Sequence, residues 1–333
     1  MFFRSPLSRL GVISSTVALA TLLAACGASA PTVVPTSAPT AVPTKPAPTA
    51  APAATATTAP TATAVPPTAT TAPTPTTGPK DLLDTIKERG VLRVSTDANY
   101  APQSFFDEKT KEWTGFDIDT ANEVAKRLGL KIEFVTPQWD AITSGNWAGR
   151  WDVSIGSMTI TPERAKVLDF SPPYYYSLAQ FAIRADLKDT IKTIDDLKGK
   201  SICVAKSTTY EDYLNNAYTS DSINTPAPKD VKVAPVETDQ LCIQTIQSGR
   251  KEYDAVLTAA NVINDGIKKG APIVVLGKPV YSESLAVAVD KSSAPNSKFL
   301  EAISKAITDM HTDGTLSKLA MKYFDYDLSV LPK

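Results

Sequence analysis

KSICVA (200–205), TYEDYLNNA (209–217), VKVAPV (231–236), TDQLCIQTIQ (238–247), DAVLT (254–258), AANVINDGIK (259–268) and IVVL (273–276) follow one another in the 333-residue chain. The first, third, fifth and seventh are short, mostly apolar runs of the kind that form strands. The segments between them place apolar residues three and four apart, which lines one face of a helix. Strand and helix alternate through the stretch, and that order predicts an α/β fold with a mostly parallel sheet. The reading extends outward. Upstream, 91–94 reads as a strand. Ile118, Ala121, Ala125 and Leu128 then recur at helical spacing, and Gly129 ends that helix. Strands are predicted at 131–135 and 152–158. Downstream a strand is predicted at 285–289, with helices near 296–313 and 316–324.

This region begins abruptly near residue 80. All 35 acidic residues lie beyond that point, whereas residues 1–79 hold three basic residues (Arg4, Arg9, Lys45) and about half of the 26 prolines. Residues 80–333 carry a net −4, from 31 basic and 35 acidic side chains. That balance argues against nucleic acid as a partner. A segment of this size buries a large core, as one large domain or two ordinary lobes.

Arg4 and Arg9 precede an apolar run at 10–25 that ends in small residues, the anatomy of a secretory signal peptide. The run closes with Leu23-Ala24-Ala25-Cys26, which resembles a bacterial lipobox. The expectation is a signal peptide over 1–25 and an acylated Cys26 that anchors the chain to the outside of a membrane. No other apolar stretch is long enough to span a bilayer, so buried lipid methylenes would be the only anchor. Residues 27–79 are almost wholly Ala, Thr, Pro, Ser and Val. Such a composition cannot bury enough surface to offset ordering entropy, so 26–79 is expected to be an acylated cysteine followed by a disordered stalk. Its upper reach is on the order of 160 Å at ~3.1 Å per residue.

Four stretches of the remainder carry a family resemblance. They are VSTDANYAP (94–102), WTGFDID (113–119), GSMTITPER (156–164) with DFSPPYY (169–175), and DDLKGK (195–200) leading into KSTTY (206–210). In this order they resemble the bacterial extracellular solute-binding proteins of family 3, over essentially all of residues 81–327. The resemblance implies a two-lobed periplasmic-binding-protein (type II) α/β fold, with a hinge of two crossing segments and a ligand cleft between the lobes. Lobe 1 would span about 81–181 and 284–333, and lobe 2 about 182–283. The crossings would lie near 177–181 and 281–285. It also implies a monomer that captures a small polar solute, most readily an amino acid, and delivers it to the membrane subunits of an ABC importer.

The resemblance assigns site residues as well. Arg164 would grip the ligand's carboxylate, for which a guanidinium offers two parallel charge-assisted hydrogen bonds. Ser157 and Thr159 would contribute hydroxyl and backbone groups beside it. Thr209 and Tyr210, at the start of a predicted lobe 2 helix, would reach the same carboxylate across the cleft, although a threonine there also serves as a helix cap. Tyr100 and Trp139 would sandwich the ligand's apolar stem, and Asp97 would read its distal group or cap a turn. Lys206 falls at a cleft-lining position or is simply solvated. One departure stands out. The aspartate that pairs with the α-ammonium in the family corresponds here to Ala259, while Asp254 matches a structural position upstream. Thr258, Glu237 and Glu283 are the available substitutes, and a carboxylate ligand with no α-ammonium is the other outcome.

Cys203 and Cys242 form an even pair in an exported domain, which permits a disulfide or two buried free thiols. His311 is the sole histidine and is read as a surface residue, and the cysteine spacing fits no metal site, so neither a metal nor a cofactor is implied. A Ser-His-Asp enzyme is disfavoured on the same ground. Two alternatives on this fold remain: an enzyme resembling the cyclohexadienyl dehydratases, and a ligand sensor with no role in transport.

Overall fold

The computed structural model describes residues 79–220 and 222–331. The signal-peptide, Cys26 and stalk expectations lie outside those residues. In chain order the elements of the first part are α1 (Leu82–Arg89), β1 (Val91–Ser95), β2 (Asn99–Tyr100), β3 (Ser104–Asp107), β4 (Glu112–Thr114), α2 (Phe116–Arg127), β5 (Lys131–Val135), α3 (Trp139–Thr143), β6 (Val153–Thr159) and β7 (Leu168–Arg184). There follow β8 (Ser201–Ala205), α4 (Thr209–Leu214), β9 (Lys232–Val236), α5 (Asp239–Gln247), β10 (Ala255–Ala259), α6 (Ala260–Lys268), β11 (Ile273–Asp290), α7 (Ser297–Thr312) and α8 (Thr315–Phe324).

Eight strands form one sheet in the order β5-β1-β6-β11-β7-β10-β8-β9. At one end β1 lies parallel to β5 and β6; at the other, β8 lies parallel to β9 and β10. Between them run β7 and β11, antiparallel to each other and to their outer neighbours β10 and β6. The sheet is therefore mixed rather than mostly parallel. The strands predicted at 273–276 and 285–289 belong to one long β11, interrupted by a register shift between Leu276 and Tyr281.

Each end of the sheet owns a core. Leu92, Val94, Phe116, Ile155, Phe299 and Ile307 belong to one apolar cluster, drawn from 83–175 and 285–328. Phe181, Ile202, Val204, Ile243, Leu257 and Ile263 belong to a second, drawn from 179–281. The inner strands β8 and β10 are buried along nearly their whole length and so read in sequence as near-continuous apolar runs, whereas the edge strands β5 and β9 keep exposed residues. The chain passes between the cores twice, along β7 between Tyr175 and Ala179 and along β11 between Tyr281 and Leu285. These are the two halves and two crossings of the expected fold.

Local chemistry fixes the pieces. Asp81 caps α1 by accepting from the Leu83 amide at 2.9 Å, and Gly90 closes the helix in the left-handed region. Cys203 on β8 and Cys242 on α5, both fully buried, are joined in a disulfide that ties that helix to the sheet. His311 is not an open surface residue. Its Nε2 lies 2.8 Å from the Pro173 carbonyl, which packs α7 against β7.

Candidate ligand-binding site

Five strands from the two parallel groups of the sheet deliver residues to one cavity, each just past or at its carboxyl end. β1 leads to Asp97 and Tyr100, and β5 leads to Trp139 at the start of α3. β6 supplies Ser157 and Thr159 and leads to Arg164. β8 leads to Thr209 and Tyr210, and β9 to Glu237 and Asp239. Ligand crevices in open α/β sheets form at these strand ends, where backbone turns leave side chains uncovered. The cavity has a volume of about 50 Å³. All eight residues proposed from sequence as ligand contacts line it, as do Tyr175 and Glu283.

Arg164 is only 8 % exposed. Its Nη1 donates to the Thr159 carbonyl at 3.0 Å, and its Nη2 donates across the cavity to the Ser207 carbonyl at 3.1 Å. The guanidinium carbon sits 5.4 Å from the centre of the Trp139 ring, close enough for cation–π attraction. Trp139 Nε1 donates to the same Ser207 carbonyl at 3.0 Å. Burial pulls the Arg164 pKa down and the charges of Glu283 and Asp212 hold it up, and a guanidinium keeps its charge through such shifts.

Glu283 occupies the β11 crossing and gathers hydroxyls from both halves. Its Oε1 accepts from Thr159 Oγ1 at 2.7 Å and from Thr209 Oγ1, and its Oε2 accepts from Tyr210 OH at 3.0 Å. Three hydroxyls expected to face ligand are thus spent on a buried carboxylate. Ser157 is committed as well. Its backbone is left-handed (φ 58°), and its amide donates to Tyr174 OH at 2.8 Å. Its Oγ accepts from Tyr175 OH and donates to Asp117 Oδ2, both at 2.7 Å. Asp117, wholly buried at the start of α2, is raised by burial to about 7, although the Ser157 and Tyr174 hydroxyls bond to it.

Asp97 Oδ1 accepts from the Asn99 amide at 2.7 Å, so it caps a turn while lining the cavity, and burial raises its pKa. Lys206 is held by Glu237 at 3.0 Å and Asp140 at 3.7 Å. Ala259 is fully buried at the end of β10, and Asp254 bonds the Ser201 amide at 3.0 Å. Of the three substitutes named for the missing carboxylate, Glu237 and Glu283 reach the cavity. Sequence reading missed a fourth carboxylate there, Asp239. It is 6 % exposed, and its Oδ1 is buried without a hydrogen-bond partner among the described residues. Burial raises it to about 7, and the charges of Asp97 and Glu283 push the same way. A signal was present: Thr238-Asp239 opens α5 as cap and first residue, as Thr208-Thr209 opens α4.

Among the described residues no cluster of His, Cys, Asp or Glu is placed to hold a metal ion, and no helix is long and apolar enough to cross a membrane. The arrangement can pair an anionic group at Arg164 and cationic groups at the carboxylates, within walls contributed by both halves.

A two-core α/β protein whose halves enclose a polar cavity has the architecture of a type II periplasmic binding protein. Residues 92–326 match the bacterial extracellular solute-binding proteins, family 3, and the chain belongs to that family. The L-cystine-binding protein TcyJ of Escherichia coli is 34% identical over 249 residues, which cover 74% of this chain and 88% of that protein. An ancestral arginine-binding protein, solved with arginine bound, superposes with a TM-score of 0.61 at 36% identity, covering 71% of this chain and 99% of its own. An ancestral amino acid-binding protein described as a precursor of cyclohexadienyl dehydratase does so with a TM-score of 0.63 at 34% identity, covering 73% and 99%.

Proposed function

We propose that this chain is an extracytoplasmic receptor that closes around an amino acid and presents it to the membrane subunits of an ABC importer. Residues 80–333 are the binding domain, with lobe 1 at about 81–181 and 284–333 and lobe 2 at about 182–283. Removal of 1–25 leaves an acylated Cys26 as the membrane anchor, and 26–79 is the tether. The protein works as a monomer and binds without turning its ligand over.

The observation that carries this reading is the buried guanidinium of Arg164 in the cavity wall. Two of its N–H groups donate to main-chain carbonyls, and a ligand carboxylate takes others as a charge-assisted pair. The amino-acid-binding relatives support the solute class. The names of these relatives, which are binding proteins, support capture rather than catalysis, and the assay for the alternative is turnover of prephenate or arogenate, expected to be nil.

A thermal-shift screen of amino acids and small carboxylates, with and without an α-amine, identifies the ligand class. Calorimetry with the best ligand then tests the site. Arg164→Ala is expected to cost about 3–5 kcal/mol of binding, because a buried carboxylate is left unpaired. Unchanged affinity would remove Arg164 from the site.

A further inference from the structure

Resting on that reading of the cavity, the distribution of charge narrows the substrate class. The cavity carries one cation, Arg164, and three carboxylates that make no ion pair with Lys206: Asp97, Asp239 and Glu283. Glu237 is offset by Lys206 at 3.0 Å. Glu283 has its oxygens occupied by three hydroxyls, and its charge acts on Arg164. Asp97 and Asp239 remain. Asp97 has one backbone amide on Oδ1, and Asp239 has a buried Oδ1 with no hydrogen-bond partner among the described residues. The groups facing Asp239 are the Thr258 hydroxyl, Asp97, Glu283 and the phenols of Tyr100 and Tyr210. None is a cation. Each of these carboxyl groups keeps acceptor capacity that its few neighbours do not fill, which is costly in a buried setting, and a ligand that supplies the missing donors recovers that cost on binding.

We infer that the solute is a cationic amino acid whose α-ammonium falls to Glu283, beside the residues that hold the carboxylate end, and whose side-chain guanidinium or ammonium is taken by Asp239 together with Asp97. A zwitterion with a neutral side chain leaves the excess negative charge of this wall in place. The distal end of cystine carries an ammonium and a carboxylate together, so it brings no net positive charge to this wall and offsets less of its charge than a cationic side chain does, although a cystine-binding protein is among the relatives. Tyr100, whose hydroxyl lies 3.5 Å from that of Tyr210, gives the cationic stem an aromatic surface beside the carboxylates. Asp239 is then the specificity-determining residue, while Arg164 holds the end common to all amino acids.

The test is calorimetry on the full chain with L-arginine, L-lysine, L-citrulline (the uncharged counterpart of arginine), L-glutamine and L-cystine. Arginine or lysine is expected to bind at least about 100-fold more tightly than citrulline or glutamine, since the wall discriminates by leaving its carboxylates unpaired. The order of arginine and lysine distinguishes a guanidinium from an ammonium ligand. Asp239→Asn, close to isosteric, is expected to weaken the cationic ligand at least about 30-fold while shifting the neutral ones by less than about 3-fold. Asp97→Asn is expected to change selectivity in the same direction, and thermal unfolding of both variants verifies that they fold. Citrulline, glutamine or cystine binding as tightly as arginine and lysine overturns the inference and leaves the amino-acid receptor standing. Binding of none of the five and of no other amino acid in the screen overturns both.

Discussion

Asp97, Asp117 and Asp239 are held by burial rather than by paired cations, and each is raised above the ordinary carboxylate range, Asp117 and Asp239 to about 7. In the unfolded chain an aspartate loses its proton near pH 4. Between about 4 and 7 the native state therefore holds protons that the unfolded state has released, and stability falls as pH rises through that window. Asp186 and Asp313, lowered to about 2 by neighbouring hydrogen bonds, act with the opposite sign but only below about pH 4. Denaturant titrations of the ligand-free protein are expected to show a midpoint that declines from pH 5 to pH 7 and then levels, with a shallower decline in Asp239→Asn. A midpoint that rises across that interval would contradict the burial argument. Arg164, Ser157 and Thr159 were legible from one nine-residue stretch. Asp239 was not, because an acid in the first turn of a helix is ordinary there and complements the helix dipole.

The elements were legible wherever periodicity and a terminator agreed. β5 spans the expected 131–135, α6 starts one residue later than expected, and α7 is one residue shorter at each end. β7 and β11 were not legible as long strands. Pro172-Pro173 and Gly277-Lys278-Pro279 read as breaks, since proline removes a ladder donor. The fold absorbs them as register shifts, because pairing along both strands outweighs the local interruption. The short strands β2 to β4 escaped notice because two to four residues carry little period. Their packing against α2 depends on Gly115, at φ 129°, where a Cβ would stand 2.2 Å from the Gln103 carbonyl oxygen. Both the dihedral and the space require glycine. Gly115→Ala is expected to destabilise the domain by more than about 2 kcal/mol in thermal or denaturant unfolding. A shift within about 0.5 kcal/mol, the range of a surface substitution, would mean that the turn relaxes freely.

Across the molecule, few bonds join the two halves over the cavity. Besides those to the Ser207 carbonyl and to the Glu283 carboxylate, Gln103 Nε2 donates to Asn261 Oδ1 at 3.0 Å, Gln240 Nε2 donates to the Ala101 carbonyl at 3.3 Å, the Tyr100 and Tyr210 hydroxyls lie 3.5 Å apart, Lys206 meets Asp140 at 3.7 Å, and outside the cavity Lys268 meets Asp325 at 2.6 Å. A neutral hydrogen bond of this kind contributes about 1 kcal/mol net, and an exposed ion pair about as much or less. A ligand that pairs its charges with both walls contributes on the same scale or above it, and so it governs how far the halves stay together. Arg164 is proposed to supply the cation for a carboxylate held between the two cores, and a crystal structure of the protein with its amino acid bound decides this. The ligand carboxylate is expected within hydrogen-bond distance of the Arg164 guanidinium, with contacts to the ligand from both halves. A ligand seated elsewhere, with the guanidinium facing only the Thr159 and Ser207 carbonyls, would contradict it.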